Sequence, residues 1–281
     1  MDADSPPPAD RVSVADDRHV AYAEYGDPTG RPVLFLHGTP GSRRLGRLFD
    51  TPARREGVRI VAPDRPGYGE SSPWPTRDLT DTGAFVAPVL DDAGVDRAGV
   101  VGFSGGGPHA LALAATHPDC VTSVDVVAGA TPPACPPTPR VQRLLGRLAS
   151  TTPRLLSGLL RVQAWLAGVA PAVVVSQYTD ATVPDEVATL VVRDFVDAVA
   201  ASRHGTITEL RLLASSWDLP LASVDRPVRL RHGTHDANVP IAGVRTLRDR
   251  LPDAHLTAVE DADHLTTLLR SREPVVAQHA D

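Results

Sequence analysis

The chain has 281 residues, of which 42% are hydrophobic and 22% charged, and this is the composition of a soluble globular protein rather than a disordered one. Its length suits one large domain or two small ones. The formal net charge of -6 gives no electrostatic reason to expect nucleic acid or an anionic membrane as a partner. No apolar stretch is long enough to predict a transmembrane helix.

The N-terminus and the cysteines bear on the cellular compartment. The first residues, MDADSPPPADR, are acidic and rich in proline and lack the basic region and apolar core of a secretory signal. We therefore expect an irregular N-terminal segment and a cytoplasmic protein. Cys120 and Cys135 form no disulfide framework and show no zinc-ligand spacing, so we expect two free thiols.

The first half of the chain alternates between strand and helix patterns. Short β-favouring runs around a turn predict an edge hairpin within residues 11–26. The buried strands predicted next are 32–36, 58–64, 98–103 and 121–130, and the helices between them start near Arg43 or cover 79–92 and 105–117. This alternation predicts an α/β fold with a mostly parallel central sheet flanked by helices.

A proline-rich segment, TPPACPPTPR, ends that pattern. Helical patterns then continue to about Trp217, and strand and helix alternation resumes near Pro227. We therefore predict residues 1–130 and 221–281 as the core and residues 131–220 as a helical lid, inserted after the sixth strand. Two apolar stripes with helical spacing in the lid are expected to pack in its core. They are Val141, Leu144, Leu145 and Leu148, and then Val187, Leu190, Val191 and Phe195.

Ser104 lies in GFSGG, which fits the pattern G-x-S-x-G after a buried strand and at the start of a helix. A nucleophilic serine needs a sharp turn of this kind, and the small Gly102 and Gly106 let the strand and helix approach each other. A serine also needs a base and an orienting carboxylate. Asp236 and His264 follow the two predicted strands near the C-terminus, and in a parallel sheet the loops after such strands share the edge that carries the serine.

With these motifs in this order, the chain resembles the α/β-hydrolase fold superfamily from about Arg11 to its C-terminus, specifically the serine-nucleophile esterases, lipases and proline iminopeptidases. The motifs that carry the resemblance are HGTPGS at 37–42, DRPGYGESS at 64–72, GFSGGG, HGTHDANVP and DADH. The resemblance implies Ser104 as nucleophile, His264 as general base and acid, and Asp236 as the residue that orients the imidazole. It also implies an oxyanion hole formed by the backbone N–H groups of Thr39 and Gly105.

The other histidines and aspartates of these segments are interpreted as structural. His37 and His232 are expected to bond backbone at strand ends, His109 to be packed, and His235 to point away from the site. Asp64 is expected to stabilise its own loop, while Asp125 and Asp263 remain weaker alternatives to Asp236 as the orienting carboxylate.

The expected reaction is the hydrolysis of a small-molecule ester without a cofactor or metal, since neither a metal cluster nor a phosphate-binding loop is apparent. Proline iminopeptidase activity is an alternative because HGTPG is similar to that group's HGGPG. It requires lid carboxylates for a free amino group, and Glu186 and Glu209 are the only glutamates there. Carbon–carbon bond hydrolysis, cofactor-free perhydrolysis and a catalytically weak ligand-binding protein also remain open, as does the oligomeric state. Beyond a small-molecule substrate, we expect neither nucleic acid nor a membrane as a partner.

Overall fold

Eight strands form one sheet in the computed structural model, which describes residues 8–280. Residues 1–7, where irregular structure was expected, and residue 281 lie outside the described residues. The strands are β1 (Asp10–Val14), β2 (Arg18–Gly26), β3 (Arg31–Leu36), β4 (Val58–Pro63), β5 (Ala98–Phe103), β6 (Val121–Val127), β7 (Val228–Gly233) and β8 (Ala254–Val259).

The strand order is β1-β2-β4-β3-β5-β6-β7-β8. Strands β3 to β8 run parallel to one another, and the two antiparallel pairs are β1 with β2 and β2 with β4. Strand β5 is buried along its whole length, as expected for a central parallel strand covered on both faces. The predicted α/β fold with a mostly parallel sheet is therefore confirmed.

Ten α-helices accompany the sheet in the described part of the chain. They are α1 (Asp50–Glu56), α2 (Thr82–Asp92), α3 (Gly107–Thr116), α4 (Arg140–Thr151), α5 (Pro153–Val169), α6 (Ala172–Val175), α7 (Asp185–Ala200), α8 (His204–Ala214), α9 (Ile241–Arg248) and α10 (His264–Ala280). Helices α2, α3 and α9 contribute to the hydrophobic core on one face of the sheet, and α1 and α10 to the core on the other face. None of the helices within residues 8–280 combines the length and apolar character needed to cross a membrane.

Helices α4 to α8 lie between β6 and β7, within the predicted lid. The division of the chain into core and lid at residues 131 and 220 stays a prediction. The second apolar stripe is packed as expected, since Val187, Val191 and Phe195 are buried.

The expectation that the first stripe packs in the core is wrong for Val141 and Leu144, which are 66% and 57% exposed. Helix α4 instead packs through its small residues. Gly146 and Ala149 are buried, and a Cβ on Gly146 would lie 2.3 Å from the Cβ of Ala214 on α8. Leu145 and Leu148 of the same stripe are half-buried and pack against the cluster of Ala149, Leu156 and Leu160, so only Val141 and Leu144 face outward.

Candidate active site

Ser104, His264 and Asp236 meet at the carboxyl ends of three parallel strands. Ser104 follows β5 directly, Asp236 lies in the loop after β7, and His264 begins α10 after β8. His264 Nε2 lies 2.9 Å from Ser104 Oγ, and His264 Nδ1 lies 2.7 Å from Asp236 Oδ2. The three side chains thus form one continuous hydrogen-bonded chain.

The turn that carries Ser104 requires glycine on both sides. Ser104 has a left-handed backbone with φ of 50°, which is uncommon for a residue with a side chain. A Cβ on Gly102 would lie 2.6 Å from the carbonyl oxygen of Gly106, and one on Gly106 would lie 2.0 Å from that of Leu36. The close packing of β3, β5 and the turn therefore excludes larger residues and holds the strained serine in place.

Asp236 is held in its ionised, acceptor-only form. Its Oδ1 accepts the backbone N–H groups of Asn238 at 2.9 Å and Val239 at 2.8 Å, which leaves Oδ2 for His264. Burial alone would raise the pKa of this carboxyl, but His264, His232 and the backbone donors hold the pKa below its usual value.

The tautomer of His264 follows from its two partners. An ionised Asp236 can only accept, so Nδ1 carries the ring proton and Nε2 accepts the hydroxyl proton of Ser104. The ring packs between aromatic neighbours, with centroid distances of 5.2 Å to Phe103 and 6.4 Å to Tyr178, the latter stacked. The hydrogen bonds and ring contacts therefore fix the orientation of the imidazole and its tautomer.

Gly105 and Thr39 lie side by side. A Cβ on Gly105 would meet the Thr39 side chain at 2.2 Å from Oγ1 and would lie 3.4 Å from the Thr39 backbone nitrogen. Two neighbouring backbone N–H groups next to the serine are what an oxyanion hole needs. The missing side chain at 105 is what allows the two backbones to approach.

Arg65 connects these two segments, a role that the sequence analysis missed. Its guanidinium donates to the carbonyl oxygens of Gly38 at 2.9 Å and Gly105 at 3.3 Å and to Thr39 Oγ1 at 3.1 Å. The same guanidinium forms an ion pair of 2.5 Å with Glu209 on α8. Arg65 is fully buried, and its hydrogen bonds link the two backbone segments.

Glu209 is the centre of a buried charged cluster. Besides Arg65 it accepts from Arg77, and its Oε1 lies 3.0 Å from His109 Nε2; all four side chains are fully buried. Burial would raise the pKa of Glu209, but the two guanidiniums and His109 hold it well below its usual value. Burial lowers the pKa of His109 to about 4, so this histidine is neutral near pH 7. The cluster therefore carries two positive charges and one negative charge.

A small cavity of about 20 Å³ lies beside the serine, which is room for about one water molecule. Its lining comes from the core and from the segment of α6 and α7. The lining residues are Gly38, Thr39, Pro40, Leu45, Phe103, Ser104, Tyr178, Val191, Asp194 and Leu265. Neither Glu186, which is exposed at the start of α7, nor Glu209 lines this cavity.

Asp194 is a buried carboxyl group in that cavity wall, and the sequence analysis missed it as well. Its Oδ1 accepts the backbone N–H of Ser42 at 2.9 Å and the Ser42 hydroxyl at 2.7 Å. Burial raises the pKa of Asp194 to about 7, although the Ser42 hydrogen bonds oppose the rise. Its spacing in the sequence could have indicated that it is buried. Asp194 follows Val187 by seven residues and Val191 by three, so it lies on the apolar stripe of α7.

We expect the Asp194→Asn variant to gain stability over the parent protein as the pH rises from about 4 to about 7. In this window the folded parent keeps a proton that the unfolded chain has released, so its stability falls with rising pH and levels off above about 7. The asparagine variant has no carboxyl group at this position, so its stability does not fall in this way. A shift from 3.8 to about 7 corresponds to at most about 4 kcal/mol.

Urea denaturation of both proteins at a series of pH values measures this difference. Asp185→Asn, an exposed carboxylate on the same helix, controls for the loss of one acidic group. Parallel stability curves for the parent and the Asp194 variant would contradict the prediction.

The rival residues have other partners. Asp64 accepts from the backbone N–H groups of Arg43 and Glu70 and so fixes its own loop. Asp125 pairs with Arg229 at 2.7 Å, and Asp263 caps α10 by accepting the N–H of Thr266 at 2.9 Å.

The rival histidines also contact backbone or solvent. His37 Nε2 accepts the N–H of Arg65, and His232 donates to the carbonyl of Val239 at 2.7 Å. The side chain of His235 is 68% exposed. None of the three lies within hydrogen-bond distance of Ser104 in the described residues.

Comparisons with known proteins agree with this architecture. The family described as "alpha/beta hydrolase fold" matches residues 31–270. A pimeloyl-[acyl-carrier protein] methyl ester esterase from Aromatoleum aromaticum is 31% identical over 256 residues, covering 83% of this chain and 90% of that protein. A probable proline iminopeptidase from Streptomyces coelicolor is 37% identical over 131 residues, covering 43% of this chain. The chain spans only about two fifths of that protein's length, 39%.

A solved structure shares the fold over nearly the whole chain. An esterase from Exiguobacterium antarcticum superposes with a TM-score of 0.76 at 20% identity, covering 98% of this chain and 100% of that one. At this identity the likeness extends to the fold and not to the substrate.

Proposed function

The chain belongs to the α/β hydrolase fold family, and from that premise we propose that it is a serine hydrolase that cleaves a small carboxylic ester. Ser104 is the nucleophile, His264 the general base and acid, and Asp236 the group that orients the imidazole. The observation that carries the proposal is the hydrogen-bonded chain from Ser104 Oγ through His264 to Asp236. The backbone N–H groups of Gly105 and Thr39 are the oxyanion donors.

The reaction follows from the protonation states of these groups. Ser104 Oγ attacks the ester carbonyl carbon while its proton passes to His264 Nε2, and Asp236 stabilises the imidazolium that forms. The carbonyl oxygen gains negative charge and is stabilised by the N–H groups of Gly105 and Thr39. The imidazolium then protonates the leaving alcohol, and an acyl group stays on Ser104. Water attacks this acyl-enzyme with His264 as base, which releases the acid and restores the hydroxyl.

The small size of the cavity beside Ser104 favours substrates with a small acyl group. The cavity of about 20 Å³ is smaller than a long acyl chain, so such a chain requires Tyr178 and Val191, which line the cavity from the lid segment, to move. A short acyl group requires the least movement. The likeness to the methyl ester esterase of Aromatoleum aromaticum supports ester cleavage as the reaction, without fixing the acyl chain here.

Aminopeptidase activity is the second candidate, and Asp194 is the observation that favours it. A free amino group beside the scissile bond needs a carboxylate, and Asp194 lines the same cavity as Ser104. The two glutamates first considered for this role do not line it. The partial likeness to a probable proline iminopeptidase supports this candidate.

The experiment is a panel of p-nitrophenyl esters from acetate to octanoate together with proline p-nitroanilide. We expect hydrolysis of the esters, fastest for the short acyl chains, and covalent labelling of Ser104 by a fluorophosphonate, located by peptide mass spectrometry. If neither hydrolysis nor labelling occurs, the protein is not a serine hydrolase. Anilide cleavage that Asp194→Asn abolishes while ester hydrolysis persists would establish the aminopeptidase instead.

A further inference from the structure

Helices α4, α5 and α6 carry an exposed apolar surface that no described residue covers. Every exposed large apolar side chain among residues 8–280 lies on these three helices. These side chains are Val141, Leu144, Leu155, Leu159, Val162, Trp165, Val169 and Val173, with exposed fractions from 47% to 66%. Their clustering on adjacent helices distinguishes them from the single apolar residues that are scattered over most protein surfaces.

Helix α5 shows that this surface is a continuous stripe. Leu155, Leu159 and Val162 are four and three residues apart, so they share one side of the helix, and Val169 extends it after two more turns. The buried Leu156 and Leu160 each follow an exposed leucine by one residue, so they lie about 100° further round the helix. The helix therefore has two apolar faces, and only one of them packs against the protein.

The same surface is strongly cationic. Residues 126–179 contain no aspartate or glutamate and five arginines, namely Arg140, Arg143, Arg147, Arg154 and Arg161. All five are exposed, and none has an ion-pair partner within the described part of the chain. Since the whole chain carries -6 and this segment carries +5, the rest carries -11. The surface formed by the eight apolar side chains and the five arginines is called the cationic apolar face below.

Three of the five carboxylates of the neighbouring helices α7 and α8 are buried or paired with residues outside this face. Helix α8, which packs against α4, has Glu209 as its only acidic residue, and Glu209 is fully buried with its own partners. On α7, which packs against α5, Asp197 pairs with Arg44 and Asp194 is buried against Ser42. The two remaining acidic residues of α7, Asp185 and Glu186, lie in its first turn.

We propose that the cationic apolar face docks the protein onto the surface of an anionic lipid bilayer. Helices with arginine beside an apolar stripe that includes tryptophan lie in the interface of such membranes, with the apolar side chains among the upper acyl chains and the arginines at the headgroups. A second copy of this chain is a poorer occupant, because a two-fold contact would bring five unpaired arginines against five more. The overall net charge of -6 gave no reason to expect a membrane partner. This single value is the sum of +5 in residues 126–179 and -11 in the rest of the chain.

The test is co-sedimentation with vesicles of phosphatidylglycerol and phosphatidylcholine in equal parts, compared with vesicles of phosphatidylcholine alone. We expect binding to the anionic vesicles, at least about tenfold weaker binding to the neutral ones, and release as salt rises from about 0.1 M to about 1 M, where the Debye length falls from about 10 Å to about 3 Å. The double variant Arg154→Gln/Arg161→Gln is expected to bind about tenfold or more weakly.

Two further variants separate the docking from other causes. Arg31→Gln/Arg245→Gln removes the same charge from exposed sites elsewhere and is expected to bind like the parent. Leu159→Ser/Trp165→Ser changes only exposed side chains, so the protein still folds, and it is expected to lose binding. Equal binding to both kinds of vesicle, or equal losses in the two arginine variants, would overturn the proposal. The proposal would also be overturned if the protein did not bind vesicles and sedimentation analysis showed a dimer that Leu159→Ser/Trp165→Ser dissociates.

Discussion

Alanine at position 104 is expected to lower the rate of ester hydrolysis at least about 10⁴-fold, and up to about 10⁶-fold, while leaving the fold intact. In the proposed mechanism, the hydroxyl that lies 2.9 Å from His264 Nε2 is the group that forms the acyl-enzyme. The variant keeps the oxyanion site and substrate binding, and these alone accelerate hydrolysis far less than the complete site does. The measurement is kcat with the best p-nitrophenyl ester.

Ser271→Ala is the matched control. Ser271 is a serine on α10 that is only 2% exposed, and its hydroxyl has no hydrogen-bond partner in the described structure, so removing it tests the loss of a buried hydroxyl alone. We expect parental activity. Adding His264→Ala to Ser104→Ala should cost almost nothing further, because the two groups act as one unit. A Ser104→Ala protein with a tenth of the parental rate would show that the serine is not the nucleophile.

The alternation of strands and helices predicted the elements that carry the site. Once β5, β7 and β8 are taken as parallel strands, the loops that follow them share one sheet edge, and Ser104, Asp236 and His264 have to be near each other. The structure brings them within hydrogen-bond distance. Local sequence is sufficient here because each residue follows its strand directly or within a short loop.

Arg65, Glu209 and Asp194 could not be found in this way. Arg65 and Glu209 are 144 residues apart, and their ion pair depends on how α8 packs over the loop after β4. Asp194 meets Ser42 only because α7 lies over the segment after β3. A helical pattern predicts which residues share a face of a helix, but not which part of the molecule that face will contact.

The apolar stripe of α4 also shows that spacing along a helix does not predict which residues are covered. Val141 and Leu144 have the spacing of a buried face, yet they are exposed because Gly146 and Ala149 make the contact with α8. Periodicity placed four residues on one stripe, but only Leu145 and Leu148 are packed, because the contact with α8 is centred on Gly146 and Ala149.

Replacement of Glu209 with alanine is expected to destabilise the protein by about 3–5 kcal/mol. The carboxylate is the only negative charge of its cluster, and its removal leaves the guanidiniums of Arg65 and Arg77 buried without a counter-ion. His109, which is neutral near pH 7, also loses its acceptor. For a chain of this size the loss corresponds to a fall of roughly 5–9 °C in the melting temperature.

Glu186→Ala provides the control in thermal and urea denaturation. Glu186 is an exposed glutamate on the adjacent α7, so its removal should change the free energy of unfolding by no more than about 0.5 kcal/mol. If Glu209→Ala does not fold, Glu209→Gln keeps two hydrogen-bonding groups in place and permits the same measurement. If either Glu209 variant lost less than about 1 kcal/mol of unfolding free energy, water or a conformational change would have to stabilise the two guanidiniums in place of the carboxylate.

The activity of Glu209→Gln, measured well below its melting temperature, separates a positioning role from a purely structural one. Glu209 does not line the cavity beside Ser104, so KM should change little. Glu209 does hold Arg65, whose guanidinium fixes the carbonyl oxygens of Gly38 and Gly105 on either side of the proposed oxyanion donors. A loosened Arg65 should therefore lower kcat, by about tenfold, less than the loss of a whole oxyanion donor. An unchanged kcat would mean that backbone packing alone holds these N–H groups and that the buried cluster serves stability only.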